Sequence, residues 1–304
     1  MCCLFGIYNY SGKEIKCLSK ITNSLAKQAT ERGIDATGIA YNDKGCLIIH
    51  KEPKDARCIT FKHPDNVKAV MGHTRHTTQG NEKRNYNNHP FAGKCKNLKF
   101  ALAHNGVLFN DKELRKSMHL PRTKIETDSY IAVQLIEKKR YLNSDSIKYM
   151  AERIEGSFSF SILDEDDTLW LVKGDSPLAI VHLPKQKLYI YASTAEILYK
   201  ALVDTELFEE IKKANFEEID ISEGDILSIN PTGTLICNHF DYLNTNYYGY
   251  NWWNYKSSKV TDNTYLDDLK TVANCYGYDP NTIDDLFQAG FTPDEIEEYI
   301  YCME

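Results

Sequence analysis

Cys2 joins a nucleophile and a base in one residue once Met1 is removed, a step that aminopeptidases perform when the second residue is small. The thiolate is the reactive form of cysteine, and a free thiol titrates near pH ~8.5. The α-amine titrates near pH ~7.7–8.0, so it can accept the thiol proton at neutral pH. N-terminal nucleophile catalysis uses this pairing. The alternative is that Cys2 only begins a buried strand, and the rest of the chain must decide between the two.

Several other stretches contain residue types that amide hydrolysis requires. Such a reaction needs a nucleophile, a proton shuttle and hydrogen-bond donors for the oxyanion, and a free amino-acid substrate also needs partners for its two charges. Besides 2–6 (CCLFG), which contains Cys2, the stretches are 32–38 (RGIDATG), 72–80 (GHTRHTTQG), 103–106 (AHNG) and 126–128 (ETD), and 88–91 (NHPF) lies between the second and third of these.

In this order, behind a cysteine at position 2, these motifs resemble those of the class II glutamine amidotransferases. Members of that family are N-terminal nucleophile hydrolases that take ammonia from glutamine. The resemblance covers roughly residues 1–240 and implies an α+β fold, a four-layer αββα sandwich of antiparallel sheets. It implies no cofactor and no metal ion.

The resemblance assigns the catalytic roles to three residues. The Cys2 thiolate would attack the glutamine γ-carboxamide, and its own α-amine, through a water, would take the proton and return it to the leaving ammonia. The Asn105 side-chain amide and the Gly106 backbone N–H would bind the oxyanion. Without the other motifs, the Asn-Gly pair would be interpreted as a hairpin turn.

Substrate binding would fall to three further residues. Arg75 would hold the α-carboxylate with its bidentate guanidinium, Thr78 would assist it, and Asp128 would accept from the α-ammonium. Arg32 and Asp35 match a turn that supports the nucleophile strand in the family. Their alternative role is a structural ion pair.

Three positions depart from the family pattern. Cys3 stands where a small residue such as glycine is usual, and it raises the question of oxidation with Cys2. His76 follows the clamp arginine, where an aromatic residue is common, and Gln79 replaces a histidine of some members. We expect His76 and Gln79 to support the site through glutamine affinity or pocket closure.

The elements that position these residues are predicted to be strands with interspersed helices. Period-two and apolar patterns predict strands, and period-3.6 patterns with caps predict helices. The strands are expected over 4–10, 67–72, 98–103 and 156–163 and near 168–173, 178–183 and 188–193, and the helices over 14–31, after Thr127 as N-cap and near 194–204. Strands and helices without regular alternation predict layered α+β packing.

The composition changes near residue 241. Residues 241–262 are rich in aromatic residues and asparagine, and we interpret them as a connector, with a base-stacking platform as the alternative. Residues 263–304 are predicted to form a small helical unit. About forty residues make a marginal core, so we expect this unit to dock on the main domain or on a partner.

Charge and cysteine usage restrict the class of protein. Lys and Arg number 36 against 43 Asp and Glu, a net charge of −7, which argues against nucleic-acid or anionic-membrane binding. No apolar run is long enough to span a bilayer, and the N-terminus does not resemble a signal peptide. Nine cysteines without a C-x-x-C pair suit a reducing cytoplasm. His73 and His76 lack a further ligand at metal-binding spacing.

The function expected from the resemblance is that of a glutaminase acting on L-glutamine. Family members usually fuse this domain to a synthase domain that uses the ammonia, but only roughly 60 residues follow here, below the ~100–150 of a common domain. We therefore expect a separate ammonia-accepting synthase subunit. The alternatives are a hydrolase of another γ-glutamyl amide and a non-catalytic binding subunit, and the complete motif set argues against the second.

Overall fold

Two antiparallel sheets form the centre of the protein. The computed structural model describes residues 2–96, 98–203, 205–213, 215–242, 270, 279, 281–289 and 296, and these contain thirteen strands. The strands are β1 (Cys3–Asn9), β2 (Ala36–Asp43), β3 (Cys46–Glu52), β4 (Ala69–Arg75), β5 (Phe91–Lys94), β6 (Lys99–Leu108), β7 (Gly156–Asp164), β8 (Leu169–Lys173), β9 (Ala179–Leu183), β10 (Leu188–Ala192), β11 (Glu217–Ile219), β12 (Asp225–Ile229) and β13 (Leu235–His239). The first sheet has the order β11-β9-β10-β1-β4-β2-β3, and the second has the order β13-β12-β8-β7-β6-β5.

Helices cover the outer faces of both sheets. They are α1 (Leu18–Gln28), α2 (Asp111–Ser117), α3 (Tyr130–Lys138), α4 (Ser144–Ala151), α5 (Ala195–Leu202) and α6 (Glu206–Lys212). Side-chain caps fix where some begin. Thr194 accepts from the Ile197 N–H at the start of α5, and Asn143 forms a capping box with Ser146 at the start of α4. Of the described helices, none is both long and apolar enough to cross a membrane.

Three hydrophobic clusters fill the spaces between the layers. One lies between the two sheets, one between the first sheet and α1 and α5, and one between the second sheet and α3 and α4. Strand β1 is mostly apolar because both of its faces are covered: Phe5 and Ile7 face the helices, Leu4 and Tyr8 face the second sheet, and the whole strand is buried. The predicted α+β class is thus confirmed, with layers in the order αββα.

The alternating strand β7 is also buried on both faces. Phe158, Phe160 and Ile162 pack under the helices of the second sheet, as the alternation predicts. On the other face Ser159 and Ser161 are equally inaccessible, because that face meets the first sheet, whereas Ser157 near the start of the strand is half-buried. Ser159 satisfies its hydroxyl by donating to the Ser176 carbonyl at 2.5 Å.

Some predicted boundaries are wrong. Strands β4 and β6 do not end at residues 72 and 103 but continue to Arg75 and Leu108, because ladder pairing with the neighbouring strands continues through both motifs. Helix α1 begins at Leu18 rather than at residue 14. Thr127 is not the N-cap of α3, which begins at Tyr130, and its buried hydroxyl has no hydrogen-bond partner among the described residues.

The chain divides into two compact units, Met1–Leu243 and Asn244–Glu304. Within the second unit, Asn281–Gln288 forms a helix, α7, in which Ile283 is buried. Most of the predicted connector 241–262 and of the predicted helical unit 263–304 lies outside the described residues, so both assignments stay predictions.

Gly106 on β6 has neither the backbone conformation nor the space for a side chain. Its φ is +140°, and a Cβ would lie 1.9 Å from the Ser157 carbonyl oxygen. We expect Gly106→Ala to lower the free energy of unfolding by at least ~3 kcal/mol, measured by urea denaturation. Gly45→Ala is the matched control, because φ is also positive there but no atom lies within 4 Å, and it should cost only ~1–2 kcal/mol. Equal losses would contradict the steric argument.

Candidate active site

Cys2 lies directly before β1, with its thiol buried against the backbone of His76. The His76 N–H donates to the sulfur at 3.4 Å, and the thiol donates to the His76 carbonyl at 3.5 Å. Only the first of these bonds survives when the thiol loses its proton, so this N–H stabilises the thiolate. Burial raises the pKa of the Cys2 thiol, whereas the His76 N–H and the Arg75 charge lower it.

The turn at residues 32–35 holds the start of β1 and the end of β4 together. Arg32 donates through Nε to the Cys2 carbonyl at 3.0 Å. Asp35 donates its N–H to the Arg75 carbonyl at 3.0 Å and accepts from the Thr77 N–H at 2.6 Å. Gly33 packs so closely on Arg75 that a Cβ would lie 2.5 Å from its carbonyl carbon. This turn therefore fixes the position of Cys2 beside Arg75.

Arg75 is buried at the end of β4, and the protein orients its guanidinium. Its Nη1 donates to Asn88 Oδ1 at 2.6 Å, and its Nη2 donates to the Gln79 carbonyl at 2.5 Å. Burial lowers the pKa of Arg75, but Cys2 and Asp128 lie close enough for their charges to raise it. The cation, the thiol and the Asp128 carboxylate thus share one buried region.

Asp128 enters that region from the loop before α3. One carboxylate oxygen accepts from the Leu108 N–H at 2.7 Å, and the other accepts from the Ser129 hydroxyl at 3.3 Å. Ser129 Oγ in turn lies 2.8 Å from His104 Nδ1. These contacts hold the carboxylate in place, and its charge opposes ionisation of the Cys2 thiol.

Asn105 connects the second sheet to the nucleophile strand. Its side-chain amide donates to Ser193 Oγ at 3.4 Å, and the same oxygen accepts from the Leu4 N–H at 2.9 Å. Ser193 also donates its own N–H to the Leu4 carbonyl at 2.9 Å. The amide donor predicted for the oxyanion is therefore held next to the start of β1, with Gly106 following it on β6.

The loop after β4 carries the remaining residues predicted for the site, His76, Thr78 and Gln79. In the loop after β4, the side chains of His76 and Thr78 are exposed, and Gln79 is half-buried. His76 and Gln79 act through their backbones, on the Cys2 sulfur and on Arg75 respectively. The roles predicted for these three side chains stay predictions.

Three residues of the site were assigned no role from the sequence, although Asn88 lies in the 88–91 stretch: Asn88, Ser129 and Ser193. Each orients a predicted residue, namely Arg75, Asp128 and Asn105. All three are short polar side chains without a distinctive spacing. Only their burial beside a charged or amide group marks them, and burial is a tertiary property.

A cluster of three buried histidines, His73, His89 and His104, lies beside the site. The ring centroids of His73 and His89 are 4.2 Å apart, and His73 Nε2 lies 2.9 Å from the carbonyl of His104. Burial lowers the pKa of all three rings, that of His73 to about 3. The folded protein therefore keeps these side chains neutral.

Stability is accordingly expected to fall as the pH is lowered. A histidine in the unfolded chain titrates near pH ~6.5, so below that pH the unfolded chain binds protons that the folded chain excludes. Each such histidine therefore lowers the free energy of unfolding by up to ~1.4 kcal/mol per pH unit. Melting temperatures between pH 7 and pH 5 should show this slope. His89→Phe should reduce this slope, because phenylalanine binds no proton in the unfolded chain. The substitution suits the site, since neither ring nitrogen of His89 has a hydrogen-bond partner among the described residues. The exposed His50→Gln is the control, and an unchanged slope in His89→Phe would contradict the assignment.

Comparison with known proteins points to one kind of domain. Residues 73–200 match a family model described as a glutamine amidotransferase domain. The glutamine–fructose-6-phosphate aminotransferase of Fusobacterium nucleatum is 31% identical over 206 residues, which cover 64% of this chain and 32% of that protein. The amidophosphoribosyltransferase of Methanocaldococcus jannaschii is 29% identical over 242 residues, 75% of this chain and 48% of that protein. The chain thus matches about a third to a half of the length of these relatives.

A solved structure shares the fold. The glutamine phosphoribosylpyrophosphate amidotransferase of B. subtilis, complexed with ADP and GMP, superposes with a TM-score of 0.62 and 23% identity. The superposition covers 79% of this chain and 49% of that one.

Proposed function

We propose that the chain is a class II glutamine amidotransferase domain, which hydrolyses the side-chain amide of L-glutamine through a thioester on Cys2, in keeping with the match of residues 73–200 to a glutamine amidotransferase domain. The observation that supports this most is the burial of the Cys2 thiol together with Arg75 and Asp128, whose charges both act on it. A free amino acid carries the complementary carboxylate and ammonium groups. The site is therefore suited to a zwitterion that presents its side-chain amide to the sulfur.

The first half of the proposed reaction acylates the enzyme. With Met1 removed, the Cys2 α-amine takes the thiol proton, and the thiolate adds to the amide carbon of glutamine. The carbonyl electron pair moves to the oxygen, which the Asn105 side chain and the Gly106 N–H stabilise. When the pair returns, the carbon–nitrogen bond breaks, the amine gives the proton to the nitrogen, and ammonia leaves a γ-glutamyl thioester.

The second half restores the thiol. A water molecule loses a proton to the same α-amine and adds to the thioester carbon, again through an oxyanion held by Asn105 and Gly106. Collapse breaks the carbon–sulfur bond, glutamate leaves, and the sulfur regains its proton. One amide and one water thus give one glutamate and one ammonia.

The substrate charges are proposed to bind Arg75 and Asp128. A guanidinium has five N–H donors, and the contacts with Asn88 and Gln79 orient it without using all of them. Those that remain can hold a carboxylate with bidentate geometry. Asp128, fixed by Leu108 and Ser129, would accept from the ammonium group.

Arg75→Lys is expected to raise KM for glutamine at least ~10-fold with a smaller change in kcat, because an ammonium cannot reproduce the planar fork. Steady-state ammonia release over a range of glutamine concentrations measures both constants. Arg57→Lys is the control, since Arg57 forms an exposed ion pair with Asp55. An unchanged KM in Arg75→Lys would remove Arg75 from the substrate clamp.

The ammonia is proposed to pass to a separate synthase in the cytoplasm. This rests on the relatives, which are an aminotransferase and an amidophosphoribosyltransferase, because a transfer reaction of that kind would consume the ammonia that the proposed hydrolysis releases. Purified protein with Met1 removed should release ammonia from glutamine, intact mass should show one adduct of a glutamine-analogue diazoketone, and affinity capture should recover the synthase. Retention of Met1, absence of the adduct, or cleavage of other γ-glutamyl amides but not of glutamine would overturn the proposal.

A further inference from the structure

We propose that the β12–β13 hairpin binds one divalent transition-metal ion, with Zn²⁺ the best fit, through Asp225, Cys237 and His239. The carboxylate, thiol and imidazole ligand atoms of these residues all lie within 4.8 Å of one another. Among the described residues, no other three such side chains converge in this way. The site is built on the last two strands of the second sheet and is independent of the glutaminase proposal.

The strand register explains why the three side chains converge. Asp225 pairs directly with His239 across the hairpin, and Cys237 lies two residues earlier on β13. Side chains two apart on a strand share a face, and directly opposed residues have Cβ atoms about 4.5–5.5 Å apart. Two ligands from one strand and one from its neighbour therefore point toward a single position.

The hairpin that presents these ligands is firmly anchored. On the same face, Leu227 and Ile229 are buried in the cluster between the two sheets. At the turn, Asn230 Oδ1 accepts from the backbone N–H groups of Thr232 and Thr234. Ligands placed on rigid strands lose little conformational entropy when they bind an ion.

The side chains already adopt a nearly suitable arrangement. His239 Nδ1 lies 2.7 Å from Asp225 Oδ1, so the ring is held beside the carboxylate. Bonds of about 2.0–2.3 Å to a tetrahedral ion require ligand atoms roughly 3.3–3.7 Å apart. The His239 side chain is 74% exposed and has room to rotate by that amount.

The chemistry of the three ligands selects the ion. Thiolate and imidazole favour Zn²⁺ and related transition metals, whereas Ca²⁺ and Mg²⁺ require oxygen ligands. A thiolate and a carboxylate also neutralise the two positive charges. Cys237 and His239 are exposed, so the ion can enter from solvent and keep a water molecule in the fourth position.

The test is metal binding by the full chain in a Cys2→Ala background, which removes the active-site thiol. Calorimetry with Zn²⁺ should show one equivalent bound, and Co²⁺ should give a thiolate charge-transfer band with tetrahedral visible bands. Cys237→Ser and His239→Ala should each weaken binding at least ~100-fold, because direct ligands matter more than the outer partners that cost ~10–100-fold. Cys46→Ser, at an exposed cysteine of β3, should bind as before.

The result is decisive whether or not every variant folds. The Co²⁺ spectrum of the parent protein reports thiolate ligation directly, without any ligand substitution. Circular dichroism of the metal-free variants separates lost ligands from lost structure. Absence of the charge-transfer band, or equal Zn²⁺ affinity in the parent protein and a folded Cys237→Ser variant, would overturn the proposal.

Discussion

Cys2→Ala is expected to reduce ammonia release from glutamine by about 10⁴–10⁶-fold, the effect of removing a nucleophile in other hydrolases. Alanine leaves the α-amine in place and still permits removal of Met1, so only the sulfur is lost. The variant should also fail to react with a diazoketone analogue of glutamine. Turnover and intact mass measure the two effects, and turnover close to that of the wild type would exclude a thioester mechanism.

Cys3→Ala is the matched control, because the two cysteines adjoin in sequence but point in different directions. The Cys3 side chain lies in the cluster between the first sheet and the helices, and burial raises the pKa of its thiol to about 11. A thiol with such a pKa is almost fully protonated at neutral pH and a poor nucleophile. Cys3→Ala should therefore keep activity and labelling, with a modest loss of stability.

Asn105→Ala is expected to lower kcat for glutamine by about 10²–10³-fold, with a smaller effect on KM. The amide would act on charge that develops only in the transition state, so its loss should affect turnover more than binding. Thermal unfolding must be measured in parallel, since the same amide contacts Ser193. A stable variant with kcat within threefold of the wild type would contradict the oxyanion role.

Asn110→Ala provides the comparison for that substitution. Asn110 lies just beyond the end of β6. Its side-chain amide donates to the Arg153 carbonyl at 2.8 Å, and its Oδ1 accepts from the Glu155 N–H at 3.0 Å. Loss of these two hydrogen bonds should cost ~2 kcal/mol of stability without changing kcat. If Asn110→Ala and Asn105→Ala lower activity equally, the effect arises from the fold and not from the oxyanion.

Much of the fold could be predicted from local patterns. The apolar run of β1, the alternation of β7 and the helix α5 lie close to where the sequence places them, because burial imposes its period directly on the residues. The errors in the strand boundaries fall at the motifs. Arg75 and Asn105 lie within strands rather than loops, because cross-strand pairing continues through polar residues that a pattern of hydrophobicity treats as breaks.

The sequence by itself determined the chemistry: a cysteine able to become the first residue, and an ordered set of arginine, aspartate and asparagine motifs. The tertiary structure alone decided how those groups are oriented, through the His76 N–H on the Cys2 sulfur, Asn88 on Arg75 and Ser193 on Asn105. The reason is physical. A reactive side-chain type is a local property, whereas its orientation, burial and hydrogen-bond partners depend on strands and loops that are distant in sequence and meet only in the packed fold.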